Sequence, residues 1–278
     1  MPNSLKTIFN LDSDKLVELV DELPFWSAPF GLKLLAQVRY RKNISILDIG
    51  FGTGFPLTNL AMRFGESCKI YGIDPWEAGI RRVRKKLDHY GIKNVEIIQG
   101  EAENIPLPDK SIDLITSNNG INNISDQKKV LSECSRIMKP GGQFVQTVNL
   151  DKSMIEFYDI MEEVLKSQKM DASVEKMHQH IYSKRKPLNE FIDLIEKHDF
   201  INLKVMEDCW EYKFTDGTTM LNHYFIRLAF LDSWKSIIPD EKQEEIFEEI
   251  EVRINNQAEK DGLFKLSIPF VVIDCERK

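Results

Sequence analysis

A glycine-rich segment, Asp48-Ile-Gly50-Phe-Gly52-Thr-Gly54, carries the clearest chemical signal in this chain of 278 residues. It directly follows a β-rich run and precedes a helical pattern over 56–64. Glycines at such a turn let a ligand approach the backbone where a side chain would block it. The N-terminus of the following helix adds backbone N–H groups that have no partner within the helix. The segment therefore predicts a small-molecule site between a strand and a helix.

An acidic residue, Asp74, ends the next β-rich run, twenty residues after Gly54. A carboxylate there can accept hydrogen bonds from both hydroxyls of a ribose. These features fit two cofactor classes, because nicotinamide dehydrogenases also combine glycines after one strand with an acid after the next. Three details favour a methyltransferase: the GxGxG spacing in place of GxGxxG, the acid at Asp48, and the sequence GEAE at 100–103 followed by IPLPD at 105–109.

Strands and helices alternate along the first half of the chain, which predicts a parallel sheet with right-handed crossovers. The predicted strands are 44–49, 68–73, 95–99, 112–117 and 143–149, and the predicted helices between them are 56–64, 77–90 and 126–138. Two helices are expected within 13–40, with a break at Pro24. The alternation ends after Leu150. Beyond it we predict helices at 151–182, at 188–199 and over most of 214–262, and strands at 201–213 and 263–275.

Composition and charge restrict the class of partner. The net charge is −7 and the pI is about 5.4, which argues against nucleic acid because phosphate binding needs a basic face. We interpret the basic run within 81–86 as a solvated helix face. The four cysteines are far apart and form no CxxC pair, so no metal site is predicted. No signal peptide or membrane-spanning stretch is recognised, and a cytoplasmic protein is expected.

At these motifs the sequence resembles the class I S-adenosylmethionine-dependent methyltransferases, especially the group related to the ubiquinone/menaquinone C-methyltransferases. The resemblance covers about 44–149 and is carried by four stretches: ILDIGFGTG, YGIDP, GEAENIPLPDKSIDLI and RIMKPGGQFV. It implies an α/β, Rossmann-like, mostly parallel seven-stranded sheet, in which an antiparallel last strand lies between strands five and six. The whole chain is then one methyltransferase domain: N-terminal helical cover at 1–40, a cofactor-binding core at 41–150, helical substrate-side insertions at 151–200 and 214–262, and final strands at 201–213 and 263–275.

Carried over residue by residue, the resemblance implies S-adenosyl-L-methionine as cofactor and a role for each motif residue. The glycines would shape the turn beneath the methionine part, with Asp48 fixing it or meeting the ammonium group through water. Asp74 would hold the ribose, Glu101 would contact the adenine amino group, and a departure from the usual Asp at that position allows Glu103 to take over the contact. The implied cofactor-binding residues are Asp48, Gly50, Gly52, Gly54, Asp74, Pro75, Trp76, Glu101, Ala102, Asn118 and Asn119.

The acceptor of the methyl group is predicted to be a small and fairly apolar molecule, because aromatic residues are frequent in the helical segments. No motif identifies a catalytic base. We expect a closed chamber over the methyl group, and its candidate residues are Trp26, Phe30, Asn122, Phe157, Tyr158, His223 and Tyr224. The alternatives are a methyltransferase-like protein that binds the cofactor without catalysis and an NAD-dependent oxidoreductase. The sequence does not predict the oligomeric state.

Overall fold

A computed structural model describes residue 5 and residues 9–22 and 26–278 of the chain. Two helices come first, α1 (Asp14–Glu22) and α2 (Ala28–Gln37), as predicted within 13–40. The predicted break at Pro24 lies outside the described residues. In α1 the buried Val17 and its neighbour Leu16 form an apolar face, while Asp14 and Glu18 are exposed outside that face.

Strands and helices then alternate as the apolar periodicity predicts. The elements are β1 (Ser45–Ile49), α3 (Leu57–Phe64), β2 (Lys69–Asp74), α4 (Glu77–His89), β3 (Val95–Gln99), β4 (Ile112–Asn118), a short 3-10 turn (Ile121–Asn123), α5 (Gln127–Ile137) and β5 (Met138–Asn149). β1 pairs in parallel with β2 and β4, β2 with β3, and β4 with β5. Ile46, Ile70 and Ile115 have no exposed surface, because helices cover both faces of these strands.

β5 begins five residues before the predicted strand of 143–149. Met138 pairs with Ile112, and the register then shifts before Leu114 pairs with Gln143. Gly141, with φ of 73°, lies in the irregular part of the strand, and a Cβ on Gly142 would approach Lys139 O to 2.9 Å. The glycine pair thus forms a bulge within β5, because only glycine fits this backbone path without strain.

The second half of the chain contains α6 (Ile155–Ser167), α7 (Asp171–Lys184), α8 (Leu188–Glu196) and β6 (Phe200–Phe214). It continues with α9 (Gly217–Asn222), α10 (Tyr224–Ile226), a π-helical turn (Arg227–Leu231), α11 (Asp232–Lys235), a 3-10 turn (Asp240–Lys242), α12 (Gln243–Asp261) and β7 (Phe264–Arg277). The strand order is β3-β2-β1-β4-β5-β7-β6, and β7 runs antiparallel to β5, with Phe144 opposite Cys275. The predicted antiparallel strand between strands five and six is therefore confirmed.

The described residues form two compact units. The sheet unit comprises Asn10–Asn149, Pro187–Asp208 and Phe270–Lys278, and the helical unit comprises Leu150–Lys186 and Cys209–Pro269 with the described residues up to Phe9. The single domain spanning 1–278 stays a prediction. No helix of the described residues is long and apolar enough to cross a membrane.

In the sheet unit, α1 is held on α4 by ion pairs. Asp21 Oδ2 accepts a hydrogen bond from Arg82 Nε at 2.8 Å, Asp21 Oδ1 accepts one from Lys86 Nζ, and Asp14 pairs with Arg81 at 2.9 Å. The side chains of Lys86 and Asp21 are only 18% and 10% exposed, so this pair is shielded from solvent. For Arg82 and Lys86 the prediction of a solvated helix face is wrong, because both side chains pair with Asp21 of α1. This partner lies about sixty residues earlier in the chain, so the residues around α4 do not indicate it.

In the helical unit, Trp234 is the centre of the packing. Its ring stacks on Phe157 with centroids 3.8 Å apart, and its Nε1 donates a hydrogen bond to the Tyr158 hydroxyl at 3.1 Å. A Cβ on Gly217 would approach Ile254 to 2.7 Å, so α9 lies very close to α12. Phe157 and Trp234 have no exposed surface, which makes them core residues of this unit.

We expect substitutions of Trp234 to separate packing from hydrogen bonding. Trp234→Phe retains a ring against Phe157 but leaves the Tyr158 hydroxyl without its donor, and should lower the free energy of unfolding by about 1–3 kcal/mol. Trp234→Ala also leaves a cavity and should cost about 3–5 kcal/mol. Urea denaturation measures both values. The control is Trp210→Ala, because Trp210 is 42% exposed. Equal losses for Trp234→Ala and Trp210→Ala would contradict this account.

The Asp21 ion pairs should make stability depend on acid pH. Burial acts to raise the pKa of Asp21, but hydrogen bonds from Lys86 and Arg82 outweigh it, and the pKa is lowered. A lowered carboxyl pKa contributes stability that is present above the unfolded value, about 3.9, and is lost as the pH falls through the folded value. Asp21→Asn should therefore lower stability at pH 7 by about 1.5–3 kcal/mol. It should also flatten the acid limb of the stability profile. Asp14→Asn, at an exposed pair, should leave the free energy of unfolding almost unchanged.

Candidate functional site

The glycine turn between β1 and α3 is open at its centre. Gly50, Gly52 and Gly54 all have positive φ, at 74°, 53° and 108°. A Cβ on Gly50 would approach the Gly120 Cα to 2.7 Å, so the turn lies directly against the loop that follows β4. A Cβ on Gly52 would meet no atom within 4 Å. At Gly52 the backbone therefore faces free space, as expected of a turn that a ligand approaches.

Asp74 holds this turn from the end of β2. Its Oδ2 accepts a hydrogen bond from Gly52 N and its Oδ1 accepts one from Trp76 N, both at 2.8 Å. The carboxylate is 7% exposed, and burial raises its pKa although both hydrogen bonds act in the opposite direction. An ionised carboxylate has about four lone-pair sites, so each oxygen can accept one more hydrogen bond. Asp74 can thus hold the turn and also receive two hydroxyl groups.

A cavity of about 620 Å³ opens beside this carboxylate at the carboxyl ends of the strands. Of the residues predicted from the sequence, Gly50, Gly52, Asp74, Pro75, Glu101 and Ala102 line it. Sequence reasoning did not place Ile49, Ile73, Gly100, Gly120, Asn123, Ile124 and Ser125 in the site, but they line the cavity too. Most of these additional residues lie next to a motif in the chain, which is the signal that would have found them.

Asp48 lies beneath the turn and does not line the cavity. It has no exposed surface, and its Oδ1 accepts a hydrogen bond from Thr116 Oγ1 at 2.6 Å. Its Oδ2 makes no regular hydrogen bond to a described residue, although the backbone N–H of Leu57 acts on this carboxylate to lower its pKa. Burial raises the pKa of Asp48 to about 7, the Thr116 hydrogen bond opposes this shift, and the nearby Asp74 charge adds to it. An unpartnered carboxylate oxygen of this kind can accept a hydrogen bond from an ammonium group or from a water molecule.

Two acidic side chains follow β3 on the cavity wall. Glu101 is exposed, whereas Glu103 is half-buried and its Oε2 is shielded from solvent without a hydrogen-bond partner among the described residues. The backbone of Ala102 lies between them, and Ala102 is 4% exposed. Both carboxylates are thus available for a ligand amino group, and Glu103 has the unsatisfied oxygen.

Two of the remaining predicted cofactor residues, Trp76 and Asn118, have side-chain hydrogen-bond partners within the protein. Trp76 donates its Nε1 hydrogen bond to Leu11 O at 3.1 Å, and a Cβ on Gly79 would approach the Trp76 ring to 2.6 Å. Asn118 Nδ2 donates to Ser27 O, and its Oδ1 accepts from Thr147 Oγ1, both at 2.9 Å. The side-chain amide of Asn118 thereby fixes the start of α2 on the sheet. None of these side chains is brought to the cavity wall, and neither is Gly54 or Asn119.

The predicted acceptor-pocket residues occur in both units. In the sheet unit, Phe30 is fully buried, packs on Phe270 at 4.7 Å and contacts Trp26 at 5.5 Å. Asn122 has a buried Oδ1 without a partner among the described residues. Phe30 is therefore a core residue of its unit, and whether it also faces an acceptor stays a prediction.

In the helical unit, Phe157 and Tyr158 belong to the core around Trp234. His223 and Tyr224 are half-buried, and Tyr224 packs edge-on against Phe9 at 5.3 Å. Burial lowers the pKa of His223, whose Nδ1 has no partner among the described residues, so the ring is neutral at physiological pH. The closed chamber over the methyl group stays a prediction.

Comparisons with known proteins agree on one family. A family model described as a methyltransferase domain matches residues 40–217. The ubiquinone/menaquinone biosynthesis C-methyltransferase of Escherichia coli is 35% identical over 117 residues, which is 42% of this chain and 46% of that protein. The chain therefore spans about half the length of the curated relatives it matches.

Solved structures show the same fold at lower identity. The YcgJ protein of Bacillus subtilis has a TM-score of 0.57 at 17% identity, over 90% of this chain and 98% of that one. Phosphoethanolamine N-methyltransferase 2 of Haemonchus contortus, solved with S-adenosyl-L-methionine, has a TM-score of 0.59 at 14% identity, over 98% of this chain and 61% of that one. The chain belongs to the methyltransferase domain family, and its predicted resemblance to the class I S-adenosylmethionine-dependent methyltransferases, with their cofactor, is confirmed.

Proposed function

We propose that this chain transfers a methyl group from S-adenosyl-L-methionine to a small, fairly apolar molecule. The observation that carries the proposal is the cavity at the ends of β1, β2 and β3, where Gly52, Asp74 and Ala102 meet. Ligands of open α/β sheets lie beyond the carboxyl ends of the strands. The volume of about 620 Å³ lies within the range of small-molecule pockets.

The hydrogen-bonding groups on and beneath the cavity wall match the parts of this cofactor. Asp74 has two unused acceptor sites for the ribose hydroxyls. Glu103, or the exposed Glu101, can accept from the adenine amino group, while the backbone N–H of Ala102 can donate to the ring. Asp48 lies beneath the turn and not on the wall, and its Oδ2 can accept from the ammonium group through water. The residues present therefore fit the cofactor.

The chemistry needs little from the protein beyond position. The bound cofactor supplies an electrophilic methyl group on a sulfonium. This chain's residues hold the donor, orient the acceptor in line and exclude water, and such orientation is worth about 7–11 kcal/mol. No general base is assigned, since one is needed only where the accepting atom must lose a proton.

Support for a small, mostly apolar acceptor comes from the helical unit. Tyr224 is half-buried there, next in the chain to His223, whose ring is kept neutral by burial. The relatives named above methylate carbon in one case and nitrogen in the other, and neither decides which atom is methylated here.

The net charge of −7 disfavours a nucleic-acid substrate, and the buried thiols of Cys68, Cys134 and Cys275 suit a reducing, cytoplasmic setting.

The first test is the choice of cofactor. S-adenosylmethionine and S-adenosylhomocysteine should both raise the melting temperature. The free energy of unfolding should rise by about 2.7 kcal/mol when the ligand is at a hundredfold excess over its Kd. NAD and NADP at the same concentrations should leave the melting temperature unchanged. Calorimetry with each ligand gives the corresponding affinities. Stabilisation by NAD alone would overturn the proposed function.

The second test places the cofactor at the glycine turn. Asp74→Ala should weaken S-adenosylhomocysteine binding by about 1.5–3 kcal/mol, and Asp74→Asn, which retains one acceptor oxygen, by less. Gly52→Val should abolish binding by filling the open space. The matched control is Gly91→Val, because Gly91 also has a positive φ (65°) and a Cβ there also meets no atom within 4 Å. Both valines carry the same kind of backbone strain, but only Gly52 lines the cavity. Equal affinities for the two valine variants would place the cofactor elsewhere.

A further inference from the structure

Several buried side-chain amides without hydrogen-bond partners lie on β5, in the loop after β4 and at the start of α5. Among the described residues, both amide atoms of Asn119 and Gln146 lack a partner, as do Asn122 Oδ1 and Gln127 Oε1. Gln146 has no exposed surface and Asn119 is 6% exposed. A buried polar group left without a partner destabilises the folded protein. These amides therefore call for a partner that the folded chain does not supply.

The position of these amides connects them to the site. Gln146 lies on β5 beside Ser117 of β4, and Ser117 Oγ accepts a hydrogen bond from Ile121 N, the first residue of the 3-10 turn. This turn packs against β5 and α5. Asn119 and Asn122 alternate along the chain with Gly120 and Asn123, which line the cavity. Asn119 and Asn122 therefore flank the wall of the cavity formed by the loop after β4, and Gln146 lies beside Ser117, the residue that holds this loop from β4.

A second glutamine on the same strand shows that β5 can satisfy a buried amide. Gln143 is 1% exposed, its Oε1 accepts from Arg39 N at 2.9 Å, and its Nε2 donates to Gln37 O at 2.9 Å and to Asp274 Oδ1 at 2.8 Å. Gln146 has the same side chain, the same strand and the same burial, but none of these partners. This difference separates Gln143, an amide that stabilises the fold, from Gln146, an amide that remains available to a ligand. Residues of binding sites are often kept available in this way at a cost in stability.

We propose that Gln146, with Asn119 and Asn122, binds a neutral hydrogen-bonding group of the methyl acceptor, such as a hydroxyl, a carbonyl or a carboxamide. An amide offers one donor and one acceptor face, which suits a group that can do both. No lysine, arginine or histidine is buried among the described residues of the sheet unit, so a carboxylate or phosphate would find no ion-pair partner there. The inference rests on the proposed function and adds one polar contact to a mostly apolar acceptor.

The test compares Gln146→Met with Gln143→Met, two substitutions of one residue type on one strand. If Gln146 is kept for a ligand, Gln146→Met should be as stable as the wild type, or more stable, in urea denaturation without ligand. Gln143→Met should be clearly destabilised, because it leaves Arg39 N and Asp274 without their partners. An equal loss for Gln146→Met would show that the protein or fixed water satisfies this amide, and would overturn the inference.

Binding is then measured on protein saturated with S-adenosylhomocysteine, using four single-ring probes of similar size: phenol, benzamide, benzoate and toluene. Phenol or benzamide should bind the wild type most tightly, and Gln146→Met should weaken that binding at least tenfold without changing the affinity for S-adenosylhomocysteine. The inference is overturned if benzoate or toluene binds best, if none of the four binds, or if Gln146→Met binds the probes as the wild type does. Failure of S-adenosylhomocysteine to bind the wild type would instead overturn the proposed function.

Discussion

The carboxylate of Asp74 joins the end of β2 to the amide of Gly52, and the shape of the site depends on this contact. It acts together with the hydrogen bond from Gly50 N to Ile73 O at 2.9 Å and with the close approach of Gly50 to Gly120. Three strand ends are thus tied by backbone atoms and one side chain. Because the protein's own atoms make these contacts, part of the cost of ordering the site is met during folding.

On the far side of β1 from β2 and β3, the sheet continues through β4 and β5 to the antiparallel strand β7. This strand fills the position next to β5, with Asn149 opposite Phe270 and Gln143 opposite Glu276. The Phe270 ring packs on Phe30 of α2, and the Asp274 side chain accepts from Gln143. The final strand therefore fixes both α2 and one buried amide of β5. The last strand of the chain, β7, thus determines how α2, near the start of the chain, packs on the sheet.

The parts of the fold and the site that could be predicted from the sequence are those encoded locally. Glycines at fixed spacing and an acid at a strand end specify a turn, and the structure has that turn with Gly52 and Asp74 in contact. Contacts between distant segments left no local signal. The basic residues of α4 look solvated until Asp21 is placed beside them, and Asn118 looks available until Ser27 and Thr147 are found to hold it. Gln143 and Gln146 cannot be told apart in the sequence QFVQ, because only their neighbours differ.

Lys86 connects α1 to the glycine turn. Its ammonium group donates to Thr53 O in the glycine turn at 2.9 Å while it pairs with Asp21 of α1. Any ligand that narrows the range of positions open to the turn also restricts this ammonium group, and linkage is reciprocal. Attachment of α1 to α4 and occupancy of the turn must then influence one another to the same extent. Amide hydrogen exchange within α1 would consequently report on events at the cavity, through a helix that does not itself line it.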